Sequence, residues 1–296
     1  MEFKRIMGLI LLIALVVFLV GTVFYENSKI QTSSNKITVA VTIPSEEEFV
    51  KAVGGDKVNV LVMVPSNADP HTYEPSSSQL QQAEQAQMYA EVGSGLEFEI
   101  GWMDKIRGLN SNMEVVNCSQ GIDLMQSTDP DEGNQDPHIW NSPRNAKIMV
   151  QNIYEGLVKI DPANKDYYTK NRDAYLQKLD DLDKNMTETF ANATNRNIMV
   201  YHPSWGYLCR DYGLNQISIE NEGKEATPAT ISRLVDLADQ ENVKVIFVSP
   251  QFSNESAQTI ANQIGGQVVS IDPMAENYIE NMYKITQVIS KAQKTP

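Results

Sequence analysis

Between Lys165 and about Asn192 the chain reads KDYYTKNRDAYLQKLDDLDKNMTETFAN, without a glycine or a proline. Any fold for this chain has to house that stretch as one continuous helix. Tyr168, Ala174, Leu176, Leu179 and Leu182 give it a partial apolar face, and charges occupy the rest. At about 1.5 Å per residue it reaches about 40 Å, as long as a whole lobe is wide. Ala146 to Ile160 reads as a helix before it, with Asp161-Pro162 as the break between them. The pair reads as a connector, because strand signals stop between Ser142 and Asn195 and are dense on either side.

On the amino-terminal side, apolar runs ITVAVTI, VNVLVMV, MYAEVGSG and MEVVNC alternate with helical segments. On the carboxyl-terminal side NIMVY, LNQISI, VKVIFV and QVVSI do the same. Alternation of this kind predicts parallel sheets covered by helices on both faces. The expected architecture is therefore α/β: two lobes, residues 37–141 and 196–296, joined by a helical connector over 142–195. A chain of 296 residues with 42% apolar content can bury cores of that size.

The amino terminus carries Lys4 and Arg5 and then eighteen uncharged residues, Met7 to Phe24. That is a secretion signal at the lower edge of what spans a bilayer, and it places everything after Tyr25 outside the cell. No small-x-small cleavage site follows and no cysteine lies here to carry a lipid, so an uncleaved anchor is favoured over a removed signal. The polar residues up to Lys36 make a tether. A net charge of −14, with no basic cluster beyond the first residues, argues against nucleic acid as a partner. Cys118 and Cys209 fall in different lobes, so no disulfide is expected between them. Sequons at Asn117, Asn185, Asn192 and Asn254 permit glycosylation.

The chain has only three histidines. His71 lies in SNADPHTYEP and His138 in NQDPHIWNSP, each directly after Asp-Pro, and His202 ends the strand NIMVY before Pro203. All three sit at loops or strand ends, the edge where ligands bind in open α/β sheets. Asp272, in SIDPMAENY, ends its own strand as His202 does. A lone histidine is usually a hydrogen-bonded residue without a ligand, and Asp-Pro is a common turn. Three matching contexts out of three point to a metal instead. Three imidazoles and one carboxylate suit tetrahedral Zn²⁺, with Mn²⁺ reachable if the carboxylate binds through both oxygens. Four protein ligands close the zinc shell, which makes a binding site and not a reaction centre. Asp69 and Asp136 precede their histidines by two residues and read as turn formers or as acceptors for the ligands. Trp140, Trp205 and Tyr201 read as pocket walls or plain core. The acidic loop Ser127 to Gln135 reads as a surface loop or a lid.

The combination of an exported chain with ADPHTYEPSSSQL, DPHIWNSPRNA, DPANKDYYTKN entering a long helix, YHPSWGYLCRDYGL and SIDPMAENY resembles the zinc and manganese substrate-binding proteins of ABC importers. The resemblance runs from Ile37 to the end of the chain. It implies two lobes on a rigid helix, metal ligation by His71, His138, His202 and Asp272, and delivery of the ion to a membrane permease; a monomer is expected. A histidine at position 202, where manganese-preferring relatives often carry glutamate, tilts the choice toward zinc. The His-rich loop of many zinc members and the lipid-bearing cysteine of many relatives are absent. Two other functions fit the same residues: a zinc hydrolase with water in the fourth position and Glu220 or Glu222 as base, and a metal-stabilised surface adhesion protein. Lack of an HExxH-like spacing disfavours the first, and unfolding on chelation would mark the second.

Overall fold

A computed structural model describes residues 36–127, 135–220, 226–253 and 255–293. The apolar amino-terminal segment with its tether up to residue 35, most of the acidic loop, Glu222 and the Asn254 sequon lie outside the described residues. No described helix is long and apolar enough to cross a membrane.

Eight strands form two four-stranded sheets in which every pair is parallel. The first contains β1 Ile37–Val41, β2 Val58–Val62, β3 Met88–Glu91 and β4 Glu114–Asn117, in the order β2-β1-β3-β4. The second contains β5 Asn197–Val200, β6 Asn215–Ser218, β7 Val245–Val248 and β8 Gln267–Ser270, in the matching order β6-β5-β7-β8. Central strands β3 and β7 are buried at every residue, as strands covered on both faces must be. Helices α1 Pro44–Gly54, α2 Ser77–Ala83 and α3 Glu97–Leu109 belong to the first lobe. Helix α4 Pro143–Ile160 packs on β3, β4 and α1 of the first lobe, the long helix α5 Lys165–Ala191 links the lobes, and α6 Gly206–Tyr212, α7 Pro228–Gln240, α8 Glu255–Gln263 and α9 Tyr278–Ala292 complete the second.

Two strands stop earlier than their apolar runs, for a local reason. The amides of Thr42 and Ile43 leave the ladder to donate to Glu46 Oε2 (3.1 and 3.3 Å). Val92 and Gly93 donate to the Glu99 carboxylate (2.7 and 2.8 Å), and Gly93 turns the chain at φ 74°. Both carboxylates are buried acceptors for backbone groups that no neighbouring strand serves.

Helix α5 buries Tyr168, Tyr175, Leu179, Leu182, Met186 and Phe190, one stripe at helical spacing. Its first half is tied to the first lobe by Tyr175 Oη donating to Glu48 (2.6 Å) and Asn171 donating to the Val53 carbonyl (3.0 Å). Its second half meets the second lobe, where Tyr212 Oη donates to Asp183 (2.8 Å) and its ring packs on Phe190. The stripe belongs to one continuous apolar cluster that includes Val39 and Val41 of β1 together with Val200 of β5 and Phe247 of β7. The two lobes therefore share a core through the connector. Cys118 and Cys209 are buried free thiols within it.

Candidate metal centre

In each sheet the connection order reverses beside the central pair, β1 with β3 and β5 with β7, so both carboxyl edges open crevices of the kind that hold ligands. His71 follows β2. Its amide donates to Asp69 Oδ1 (2.9 Å) and Thr72 Oγ1 donates to Asp69 Oδ2 (3.0 Å), so Asp69 shapes the turn that presents the ring. His138 lies beyond β4. Its amide and its ring Nδ1 both contact Asp136 Oδ1 (2.9 and 2.8 Å), so Asp136 is at once turn former and imidazole partner. The Asp136 carbonyl accepts from Tyr207 Oη of the second lobe (2.9 Å), which fixes the loop from the opposite side.

His202 is placed by strand register. Val200 of β5 pairs with Ser218 of β6, and two residues further along both chains His202 stands level with Glu220. The His202 ring Nδ1 and Glu220 Oε2 are 2.9 Å apart, and both residues are buried. His71 Nδ1 has the same arrangement with Glu97 Oε2 (2.6 Å), at the first turn of α3.

Each imidazole thus has a carboxylate on Nδ1. A carboxylate accepts only, so it fixes the Nδ1–H tautomer of a neutral ring and directs Nε2 as a lone pair. One ring nitrogen from each of His71, His138 and His202 lies within 4.8 Å of the others, the one such group of potential metal-binding side chains among the described residues. His202 Nε2 and His138 Nε2 approach to 3.2 Å. In a tetrahedral shell with metal–nitrogen bonds of about 2.0–2.1 Å, ligand atoms stand about 3.3 Å apart, so this pair already has coordination spacing. Burial, and then the nearby His138 and His71 rings, hold His202 well below the usual histidine range, which keeps it neutral and able to ligate. Burial pushes the Glu97 carboxyl up, but its hydrogen bond to His71 outweighs burial and holds it below the ordinary value.

The cavity between the rings measures only about 10 Å³, room for an ion or one water and not for an organic substrate. Trp140 and Phe252 line it, with Phe252 stacked on His202 at 4.5 Å between ring centroids. Trp205 and Tyr201 are buried but are not among its lining residues. A larger open cleft of about 450 Å³ runs between the lobes nearby, and Asp272 lines that cleft. Asp272 is outside the group of three. Its Oδ1 accepts from Met274 N (2.9 Å) and from Gln251 Nε2 (3.0 Å). Sequence reading did not find Glu97, Phe252 or Gln251, and took Glu220 for a candidate base. Each follows a strand by a few residues, and that shared placement is the signal that could have found them.

The sequence profile of a family described as zinc-uptake complex component A, periplasmic, matches residues 39–292. The chain belongs to the zinc-uptake component A family. Its relatives in this family include the high-affinity zinc uptake system protein ZnuA of Bacillus subtilis, 32% identical over 80% of this chain and 78% of the relative. The manganese ABC transporter substrate-binding lipoprotein PsaA of Streptococcus anginosus is 30% identical over 87% of this chain and 86% of its own length. A crystal structure of ZnuA superposes with a TM-score of 0.84 at 36% identity, covering 88% of this chain and all of that one. As a zinc-uptake component A protein, the chain has the two lobes and long linking helix that the resemblance implied.

Proposed function

We propose that this protein is an extracytoplasmic receptor that captures a transition-metal ion, Zn²⁺ ahead of Mn²⁺, and delivers it to an ABC permease as a monomer without chemical turnover. The ion is cargo, held by His71, His138, His202 and, after a short closing movement, Asp272. The observation that carries this reading is the convergence of three imidazoles, each with its own carboxylate on Nδ1, on a cavity the size of an ion. Zinc takes precedence because three imidazole nitrogens with one carboxylate oxygen are a donor set suited to its tetrahedral shell, while Mn²⁺ calls for more oxygen. A hydrolytic role for Glu220 is disfavoured by its engagement on His202 Nδ1, which leaves it supporting a ligand.

Zinc affinity of the full-length chain, read by competition with a chromophoric chelator, tests the assignment. Alanine at His71, His138, His202 or Asp272 is expected to weaken binding by at least about a hundred-fold, the cost of losing a metal ligand being greater than that of an outer partner. Unchanged affinity in two of the four rejects it.

A further inference from the structure

Gln251 stands where the proposed ligand set and the contact between the lobes meet. It follows β7 and lines the imidazole cavity. Its Nε2 donates to Asp272 Oδ1 (3.0 Å) and to the Ser66 carbonyl of the first lobe (2.8 Å). Both partners only accept, so the amide cannot be turned over and still make both bonds. The hydrogen bonds made by the Asp272 carboxylate among the described residues all fall on Oδ1, which takes Met274 N as well. A carboxylate oxygen offers about two lone-pair positions, so Oδ1 is filled and only Oδ2 remains to meet a cation.

Resting on the metal-receptor reading above, we infer that Gln251 is the residue that sets ion selectivity, by restricting Asp272 to ligation through one oxygen. With one oxygen and three imidazole nitrogens the shell is four-coordinate and suits zinc. Two oxygens from Asp272 would make five donors with more oxygen character and favour Mn²⁺. Because the same Nε2 also grips Ser66, the restriction is set across the lobes, and Asp272 is held as an acceptor by the first lobe through Gln251.

The test uses the full-length chain with Gln251→Leu, which keeps bulk and removes the donor, and Gln251→Asn, whose shorter amide cannot reach both acceptors. Affinities for Zn²⁺ and Mn²⁺ are measured by chelator competition, and zinc-edge X-ray absorption counts the light scatterers around the bound ion. The expected result is a fall in the zinc-to-manganese affinity ratio of about ten-fold or more, the usual size of an outer-partner effect, with one additional oxygen scatterer. In an Asp272→Asn background Gln251→Leu should then leave the ratio unchanged. Equal loss for both ions, an unchanged ratio, or a further shift in the Asp272→Asn background overturns the inference. Zinc binding that survives His202→Ala is a different failure, one that removes the receptor reading itself. Cooperative thermal unfolding identifies which of the two Gln251 variants is folded and usable.

Discussion

Replacing Glu220 by glutamine separates a residue that supports a ligand from one that acts on a substrate. The carboxylate lies 2.9 Å from His202 Nδ1, with Glu220 7% and His202 5% exposed, so water does not stand in for it. A hydrogen bond to a charged group contributes about 1.5–3 kcal/mol, and one between neutral groups about 0.5–1.5. The charge on Glu220 is thus worth about 1–2 kcal/mol to a ring that becomes more acidic on binding a cation, or about five- to thirty-fold in affinity. Glutamine can also present its amide N–H to Nδ1, and that orientation stabilises the tautomer with the proton on Nε2, where the ion should sit. Zinc affinity by chelator competition at pH 7.5 should therefore fall about ten-fold for Glu220→Gln, inside the range for outer-partner replacements. Alanine should cost more. If Glu220→Gln binds zinc within two-fold of the parent while His202→Ala does not bind, the account of carboxylate-fixed tautomers is wrong.

Two further outcomes follow from close packing and buried charge. A Cβ added at Gly206 would stand 2.5 Å from Asp136 Oδ2, so Gly206→Ala should push that carboxylate off His138, weaken zinc about ten-fold and leave cooperative unfolding intact; unaltered affinity on competition titration would contradict the role given to Asp136. Burial raises the Glu99 carboxyl from 4.5 to about 7, against the bonds from Thr42, Gly93 and Val92 that favour its charge. The folded state then keeps this proton to higher pH than the unfolded chain. Its contribution to stability is complete below about pH 4.5 and is lost as pH rises to about 7, a change on the order of 3 kcal/mol. Glu99→Gln should flatten urea-unfolding free energies measured across that window, and an unchanged slope would refute the assignment.

What could be read from the sequence was what depends on local pattern. Eight apolar runs between turn signals became eight strands, and the stretch without glycine or proline became α5. His71, His138 and His202 were conspicuous because prolines and strand ends mark them, and the structure gathers all three. What could not be read depends on register between strands. Glu97 is 26 residues from His71 and Glu220 is 18 from His202, and neither flanks its histidine in a motif. The β5–β6 pairing makes Glu220 and His202 neighbours, and no periodicity in either run announces it. Asp272 illustrates the converse. Its place at a strand end was legible, but its hold by Gln251 comes from a loop that offers no pattern to read.

The apolar cluster threaded by α5 limits how this receptor can announce that it is loaded. Swinging the lobes apart would tear Leu179, Leu182 and Met186 from neighbours that are themselves fully covered, and close-packed interiors resist such partial loosening. Phe252, stacked on His202, packs instead against a separate apolar cluster of the second lobe that includes Met199, Tyr201, Ile246 and Ile260. A shift of Phe252 would leave the core threaded by α5 intact, so it disturbs far less close packing than parting the lobes would.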